Sequence, residues 1–121
     1  MIFTSHEISQ KFHSDAQIVV CHDEVLEQLK KLPSNTFKLI ASSPPYNIGK
    51  SYEKQVGLDA YIGWQEDVIS EMSRITREDG SIVWQVGNHV NKGEVFPLDI
   101  YFYPIFKKTG LEAEKSNCLA L

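Results

Sequence analysis

The sequence predicts an α/β fold in which a mostly parallel sheet is flanked by helices. Three observations point there. Phe37-Lys-Leu-Ile-Ala41 is a short apolar run halted by Pro44-Pro45, residues 58 to 79 hold a strong helical period, and strand-like and helix-like segments alternate along the chain. An apolar run too brief for a helix and closed by prolines reads as a buried strand, and alternation of the two types favours parallel crossover units.

Taken in order, Met1 to Asp15 has no sustained period and reads as a lead-in with one short helical turn. Gln17-Ile-Val-Val-Cys21 is short, β-branched and apolar, so it is predicted as a buried strand. Val25, Leu26 and Leu29 then fall at helical spacing, with Asp23 set to cap the amino end and Lys30 and Lys31 at the carboxyl end. Pro33 to Thr36 turn the chain into the run at Phe37, which makes strand, helix, strand a candidate parallel crossover.

Asn47 to Gly57 carries Gly49 and Gly57 and no period, which suits a loop at the mouth of a site. From Leu58 to Asp79 the residues Tyr61, Trp64, Val68, Met72 and Ile75 recur at three- and four-residue steps, with charged residues on the other face. Tyr61 and Trp64 are read as core packing, and Gly80 as the left-handed cap that ends the helix. Ser81 to Asn88 is rich in β-branched and aromatic residues and is predicted as a third central strand. Val95 to Phe106 leads to a helix exit at Lys107-Lys-Thr-Gly110, and Pro104 predicts a kink or a late start. Residues 111 to 121 are short and mixed.

With 121 residues the chain makes at most one domain. Its 42% hydrophobic and 23% charged content is ordinary for a globular chain, and no apolar run reaches the length of a membrane span. Cys21 and Cys118 form neither a metal-ligand pattern nor a disulfide framework, and Met1 to Gln10 lacks the order of a secretory signal, so a cytoplasmic protein is expected. A net charge of −4 argues against a broad nucleic-acid-binding face in this piece.

The chemistry is expected where the strand at Phe37 stops, in Ser43-Pro44-Pro45-Tyr46. Each proline fixes its own φ and holds the residue before it extended, so the corner is stiff before any ligand arrives. Neither proline has an N–H, which leaves carbonyl oxygens and the Ser43 hydroxyl as acceptors. A nucleobase amino group brings two N–H donors to such a corner. Acceptance of both by Ser43 and the Pro44 carbonyl favours the pyramidal, slightly positive nitrogen that attacks a methyl group, while Tyr46 offers a face for stacking. That reading requires the prolines to border a cavity open to solvent. The plainer alternative is a polyproline turn or groove ligand.

At these residues the chain resembles the amino-methylating (N4-cytosine/N6-adenine) site-specific DNA methyltransferases, whose motif is Asp, Asn or Ser followed by Pro-Pro and an aromatic residue. The resemblance runs from about Ile18 to Leu111 and fits the permuted subgroup in which the catalytic half comes first. It implies a partial Rossmann-like methyltransferase fold, a base flipped out of DNA, S-adenosylmethionine as donor, and catalytic roles for Ser43, Pro44, Pro45 and Tyr46. It further implies that Asp23 contacts the donor's adenine, although a helix cap explains Asp23 equally well and His22 stands where the family commonly has glycine. Asn47 extends the motif in a supporting role on the substrate side, and Lys50 is placed to meet a phosphate beside the flipped base. Gln85, Asn88 and His89 fall where the pocket wall would be, with self-satisfied loop residues as the plainer reading of the last two.

No Gly-x-Gly occurs in the chain, so residues 1–121 are expected to be a partial catalytic domain without the glycine-rich cofactor half or a target-recognition region. Serine at the first motif position leans toward N4 of cytosine over N6 of adenine. The RNA and protein-glutamine methyltransferases with a related motif begin it with asparagine, which Ser43 is not. The alternative function is a truncated, noncatalytic remnant, or half of a split methyltransferase that needs a complementary chain.

Overall fold

A computed structural model of the chain describes residues 6–47 and 56–112. The described elements are β1 (Ile8–Ser9), β2 (Ile18–Val19), α1 (Val25–Lys31), β3 (Phe37–Ser42), α2 (Leu58–Ile75), β4 (Thr76–Trp84), β5 (Asn88–Asn91), β6 (Glu94–Pro97) and α3 (Leu98–Lys108). They form three two-stranded sheets: β1 with β2 and β3 with β4 are parallel, and β5 with β6 is antiparallel. The α/β class and the parallel pairing agree with the sequence.

The crossover unit is β3–α2–β4, one step later than expected. The strand at Ile18 pairs with Ile8–Ser9, inside the stretch read as a helical lead-in, and not with β3. In the β3–β4 pair Ile40 lies opposite Ile82 and Ser42 opposite Trp84. With a side-chain period of two, Ile40, Ile82 and Trp84 turn toward the helices, while Leu39 and Val83 face the other way and are 64% and 56% exposed.

The core sits between that sheet and two helices. From α2 come Tyr61, Val68, Ile69 and Met72, and from α3 Leu98, Phe102 and Ile105. Fully burying one such aliphatic or aromatic side chain contributes about 1.5–3 kcal/mol. Phe102 is the hub: its ring meets Trp84 edge-on at 5.8 Å and Tyr61 at 6.1 Å. The α2 stripe of the sequence is therefore a packing stripe, and Pro104 lies inside α3, which begins at Leu98 ahead of the proline, so Pro104 does not set the helix start.

Several local expectations change. Glu24, not Asp23, caps α1: its carboxylate accepts the Glu27 N–H, whereas Asp23 accepts the N–H of Glu24. Arg74 on α2 fastens the other end of α1, donating to the Leu29 carbonyl and to Ser34 Oγ while paired with Glu71. The Leu29 carbonyl, which also accepts the Leu32 N–H at the helix end, is thereby held from a second element. The chain then docks on the end of α2 through Asn35 N–H to the Arg74 carbonyl and Thr36 N–H to the Ile75 carbonyl.

Gly80 is not a left-handed cap. The helix ends at Ile75 on Thr76, and the register slips so that Phe37 faces Thr76 but Leu39 faces Ser81. Residues 77 to 80 stand opposite Lys38 alone, and a Cβ on Gly80 would lie 2.8 Å from Thr76 Cγ2 and 3.0 Å from the Lys38 carbonyl. Close backbone approach, not a positive φ, is what glycine permits there.

The predicted third strand ends at Trp84, and Asn88 opens a hairpin that the sequence reading placed partly in a helix. Its turn sits at Lys92 and Gly93, with φ of 51° and 83°, the two positive values of a type I′ turn.

Candidate active site

In the β3–β4 pair both strands end on the same side, at Ser42 and Trp84, and Gln85 N–H extends the ladder to the Ser42 carbonyl. Carboxyl ends of parallel strands are where open α/β sheets bind ligands. Ser43-Pro44-Pro45-Tyr46 leaves from that edge, with residues 85 to 87 beside it.

Ser43 is exposed, and its Oγ lies 3.2 Å from the Tyr46 hydroxyl, so the two ends of the motif meet. Tyr46 is half-buried and packs on the core cluster. Its ring also lies directly on Gly87, where a Cβ would stand 3.1 Å from Tyr46 Cε2 and 3.3 Å from Cδ2. A glycine at that spot is the space the ring occupies.

The prolines depart from expectation. Pro44 is buried and Pro45 half-buried, so the expectation that both prolines border a cavity open to solvent is overturned, and the exposed part of the corner is Ser43 with the free part of the Tyr46 ring. Both prolines pack and stiffen the corner, and Ser43 is its exposed residue. The Pro44 carbonyl accepts no hydrogen bond from a described residue. The Pro45 carbonyl does: it takes the hydroxyl of Tyr61, a residue 2% exposed on α2. A cleft of about 580 Å³ between α2 and α3 is lined by Glu66, Asp67, Ser70, Arg74, Ile105 and Lys108 among others, with no residue of the corner.

Asn47 closes the motif in a way its sequence position did not reveal. It is 2% exposed, with φ of 59°, a left-handed conformation that asparagine tolerates better than most residues. Its Nδ2 donates to the Val56 carbonyl at 2.7 Å and its Oδ1 accepts the Val56 N–H at 2.8 Å. The side chain thus acts as a strand-like partner that ties residue 47 to residue 56. The expected substrate contact becomes a buried structural clamp. Lys50 lies outside the described residues.

Of the other residues assigned to the pocket wall, Gln85 and Asn88 are exposed, while His89 is 3% exposed in β5 with its ring 5.9 Å from that of Phe96. Among the described residues Trp84 Nε1, His89 Nδ1 and Gln65 Oε1 are buried without a hydrogen-bond partner.

The sequence of residues 37–118 matches the DNA methylase family model. This chain belongs to the DNA methylase family. Among curated proteins it is 39% identical over 93 residues to the type II methyltransferase M.BglII of Bacillus subtilis, covering 76% of this chain and 26% of that one. It is 33% identical over 93 residues to the type II methyltransferase M.ScaI of Streptomyces caespitosus, covering 75% and 31%, and 35% identical over 75 residues to the DNA adenine methyltransferase YhdJ of Escherichia coli K12, covering 60% and 25%. The chain spans between a quarter and a third of the length of these relatives. Among solved structures, TTHA0409 of Thermus thermophilus, described as a putative DNA modification methylase, superposes with a TM-score of 0.62 at 24% identity, over 74% of this chain and 39% of that one. The fold is thus a partial methylase fold, and the family is one of enzymes. No described helix is long and apolar enough to cross a membrane.

Methylases of this family imply S-adenosylmethionine, and Asp23 is the residue assigned to it here. The geometry does not fit that role. Asp23 Oδ1 accepts the Glu24 N–H at 2.8 Å, Oδ2 accepts the Gln28 amide at 2.7 Å, and Lys31 Nζ stands 3.6 Å away. The Gln28 hydrogen bond is the first cause holding its pKa below the usual aspartate value, followed by the Glu24 N–H. An exposed carboxylate engaged by Glu24, Gln28 and Lys31 is a local fastening whose oxygens are already bonded among the described residues.

What sequence reasoning missed is support. Gly87 was unremarked and Tyr61 was read only as core. The signal for Gly87 was a lone glycine just past a strand, which marks close approach of another group. For Tyr61 the signal was a tyrosine in a stripe otherwise apolar, since a buried hydroxyl needs a partner.

Proposed function

We propose that this chain supplies the acceptor side of a DNA methyltransferase that modifies an exocyclic amine of a flipped-out base, N4 of cytosine by preference. The observation that carries it is the exposed Ser43 Oγ, 3.2 Å from the Tyr46 hydroxyl, at the carboxyl edge of a parallel strand pair. Either hydroxyl can donate in this pair, and with Ser43 as the donor its lone pairs are left for an incoming N–H. The Pro44 carbonyl, without a partner among the described residues, is the second acceptor. By accepting the amine's N–H hydrogen bonds they stabilise the positive charge that grows on its nitrogen as it attacks the methyl group. Tyr46 has one side of its ring against Gly87, and the base stacks on what is left.

S-adenosylmethionine supplies the electrophilic methyl group in this reading. Residues 1–121 act as the catalytic portion of a cytoplasmic restriction-modification enzyme, with DNA as substrate, Lys50 on a phosphate, and the donor held by a complementary glycine-rich part or partner chain. Adenine N6 is the second reading, favoured by the likeness to an enzyme named as an adenine methyltransferase.

The test is transfer from labelled S-adenosylmethionine to duplex DNA by an assembly of this chain with a glycine-rich methylase half, followed by nucleoside analysis. N4-methylcytosine supports the lead and N6-methyladenine the second reading. Tyr46→Ala is expected to lose most turnover, and Ser43→Ala to lower it while donor binding stays nearly intact. Unchanged turnover in both variants would refute the assignment.

A further inference from the structure

The corner that offers carbonyls has one of them already engaged, and the engaging group comes from the core. We infer that Tyr61 is a positioning residue for the base-gripping corner: its phenol sets the Pro45–Tyr46 peptide and through it the tilt of the Tyr46 ring. The inference rests on the proposed function and adds a residue to it.

Three observations converge. The Tyr61 hydroxyl donates to the Pro45 carbonyl across 16 residues of sequence. The Tyr61 ring is itself immobilised, 2% exposed and in contact with Phe102 and Trp64 at 6.1 and 6.4 Å. And the Pro45 carbonyl belongs to the peptide whose nitrogen is that of Tyr46, so fixing the oxygen fixes the plane from which the Tyr46 side chain springs. The two prolines restrict φ but leave the rotation that orients this peptide, ψ of Pro45, to be decided by contacts. The contact that decides it is a hydrogen bond delivered by a rigid donor, and the Tyr46 ring comes to rest against Gly87.

Tyr61→Phe removes the donor and keeps the ring. The experiment compares the unsubstituted 121-residue chain with Tyr61→Phe and with the exposed-tyrosine control Tyr103→Phe, using NMR with labelled tyrosine and labelled Pro45 carbonyl. Titrations with cytidine and with adenosine follow. The expected result is a moved Pro45 carbonyl signal and moved Tyr46 ring signals in Tyr61→Phe alone, with nucleoside affinity about three- to tenfold weaker, the usual range for one lost hydrogen bond. Pro45 and Tyr46 signals that stay in place, or a nucleoside response equal to that of the unsubstituted chain, overturn the inference alone. Should the unsubstituted chain show no Tyr46 response to either nucleoside, the reading of the site fails, and this inference with it. A Tyr61→Phe chain that loses its fold would answer through Tyr61→Met, which fills the buried site without a hydrogen-bond donor. Unmoved Pro45 and Tyr46 signals there also overturn the inference.

Discussion

The start of α1 and the corner after β3 are both fastened by side chains bonded to backbone, yet they differ in where the fastening is anchored. At α1, Asp23 and Glu24 bond to N–H groups one and three residues away, on an exposed surface. At the corner, Asn47 and Tyr61 reach 9 and 16 residues and are themselves 2% exposed. Water competes freely with the first set and less with the second, which is part-buried, so similar bonds carry different weight. A site that must hold a geometry needs the second kind.

The largest expected effect comes from breaking the buried clamp. Asn47→Ala leaves the Val56 N–H and carbonyl without their partner and puts alanine at φ of 59°, at a cost of about 2–4 kcal/mol in denaturant unfolding. Asn47→Gly, which accepts that φ, is expected to recover roughly 1 kcal/mol of the loss. Equal stability of the two variants removes the backbone part of the argument.

Overpacking the corner comes next. Gly87→Val puts side-chain atoms where the Tyr46 ring lies and is expected to destabilise by about 1–3 kcal/mol, with displaced Tyr46 ring signals. Native-like Tyr46 signals in that variant would mean the ring has room elsewhere.

Ser43→Ala is smaller still for stability, within about 0.5 kcal/mol, because the hydroxyl is exposed and bonded only to another hydroxyl. Its effect belongs to the nucleoside response of Tyr46, which is expected to weaken while the unfolding midpoint holds.

The exposed fastening of α1 gives the least. Folding lowers the Asp23 pKa, chiefly through the Gln28 amide, so its contribution is present above the unfolded value and is lost as pH falls through the folded one. An NMR acid titration should place the Asp23 midpoint below that of an unfolded aspartate, and Gln28→Ala should move it up. No upward movement would assign the shift to the Glu24 N–H instead.

These contrasts also explain what could be read in advance. The α2 stripe was legible because a period of 3.6 residues is written in one dimension, and so was the strand that ends at Ser42. Its partner was legible as a strand but not as a neighbour. Pairing of β2 with β1 rather than β3 depends on residues 8 and 9, which carry too few positions for a period to emerge. The β5–β6 hairpin was hidden because its turn has lysine at the first positive-φ position, where asparagine or glycine would have announced it. Asp23 and Asn47 are both expected on the ligand side, and in the structure Asp23 bonds the Glu24 N–H and the Gln28 amide while Asn47 bonds the Val56 backbone. A short polar side chain looks the same in sequence whichever partner it takes.

The sequence by itself determined the α/β alternation, the strand that stops at Pro44 and the motif that marks the family, since each is a local matter of period, backbone restriction or residue identity. Only the tertiary structure decided which groups face the motif: Tyr61 beneath Pro45, Gly87 under the Tyr46 ring, and Val56 in the grasp of Asn47. Those contacts join residues 9 to 41 positions apart, and closeness across such spans follows from the packing of α2 on the β3–β4 pair, which no local pattern encodes.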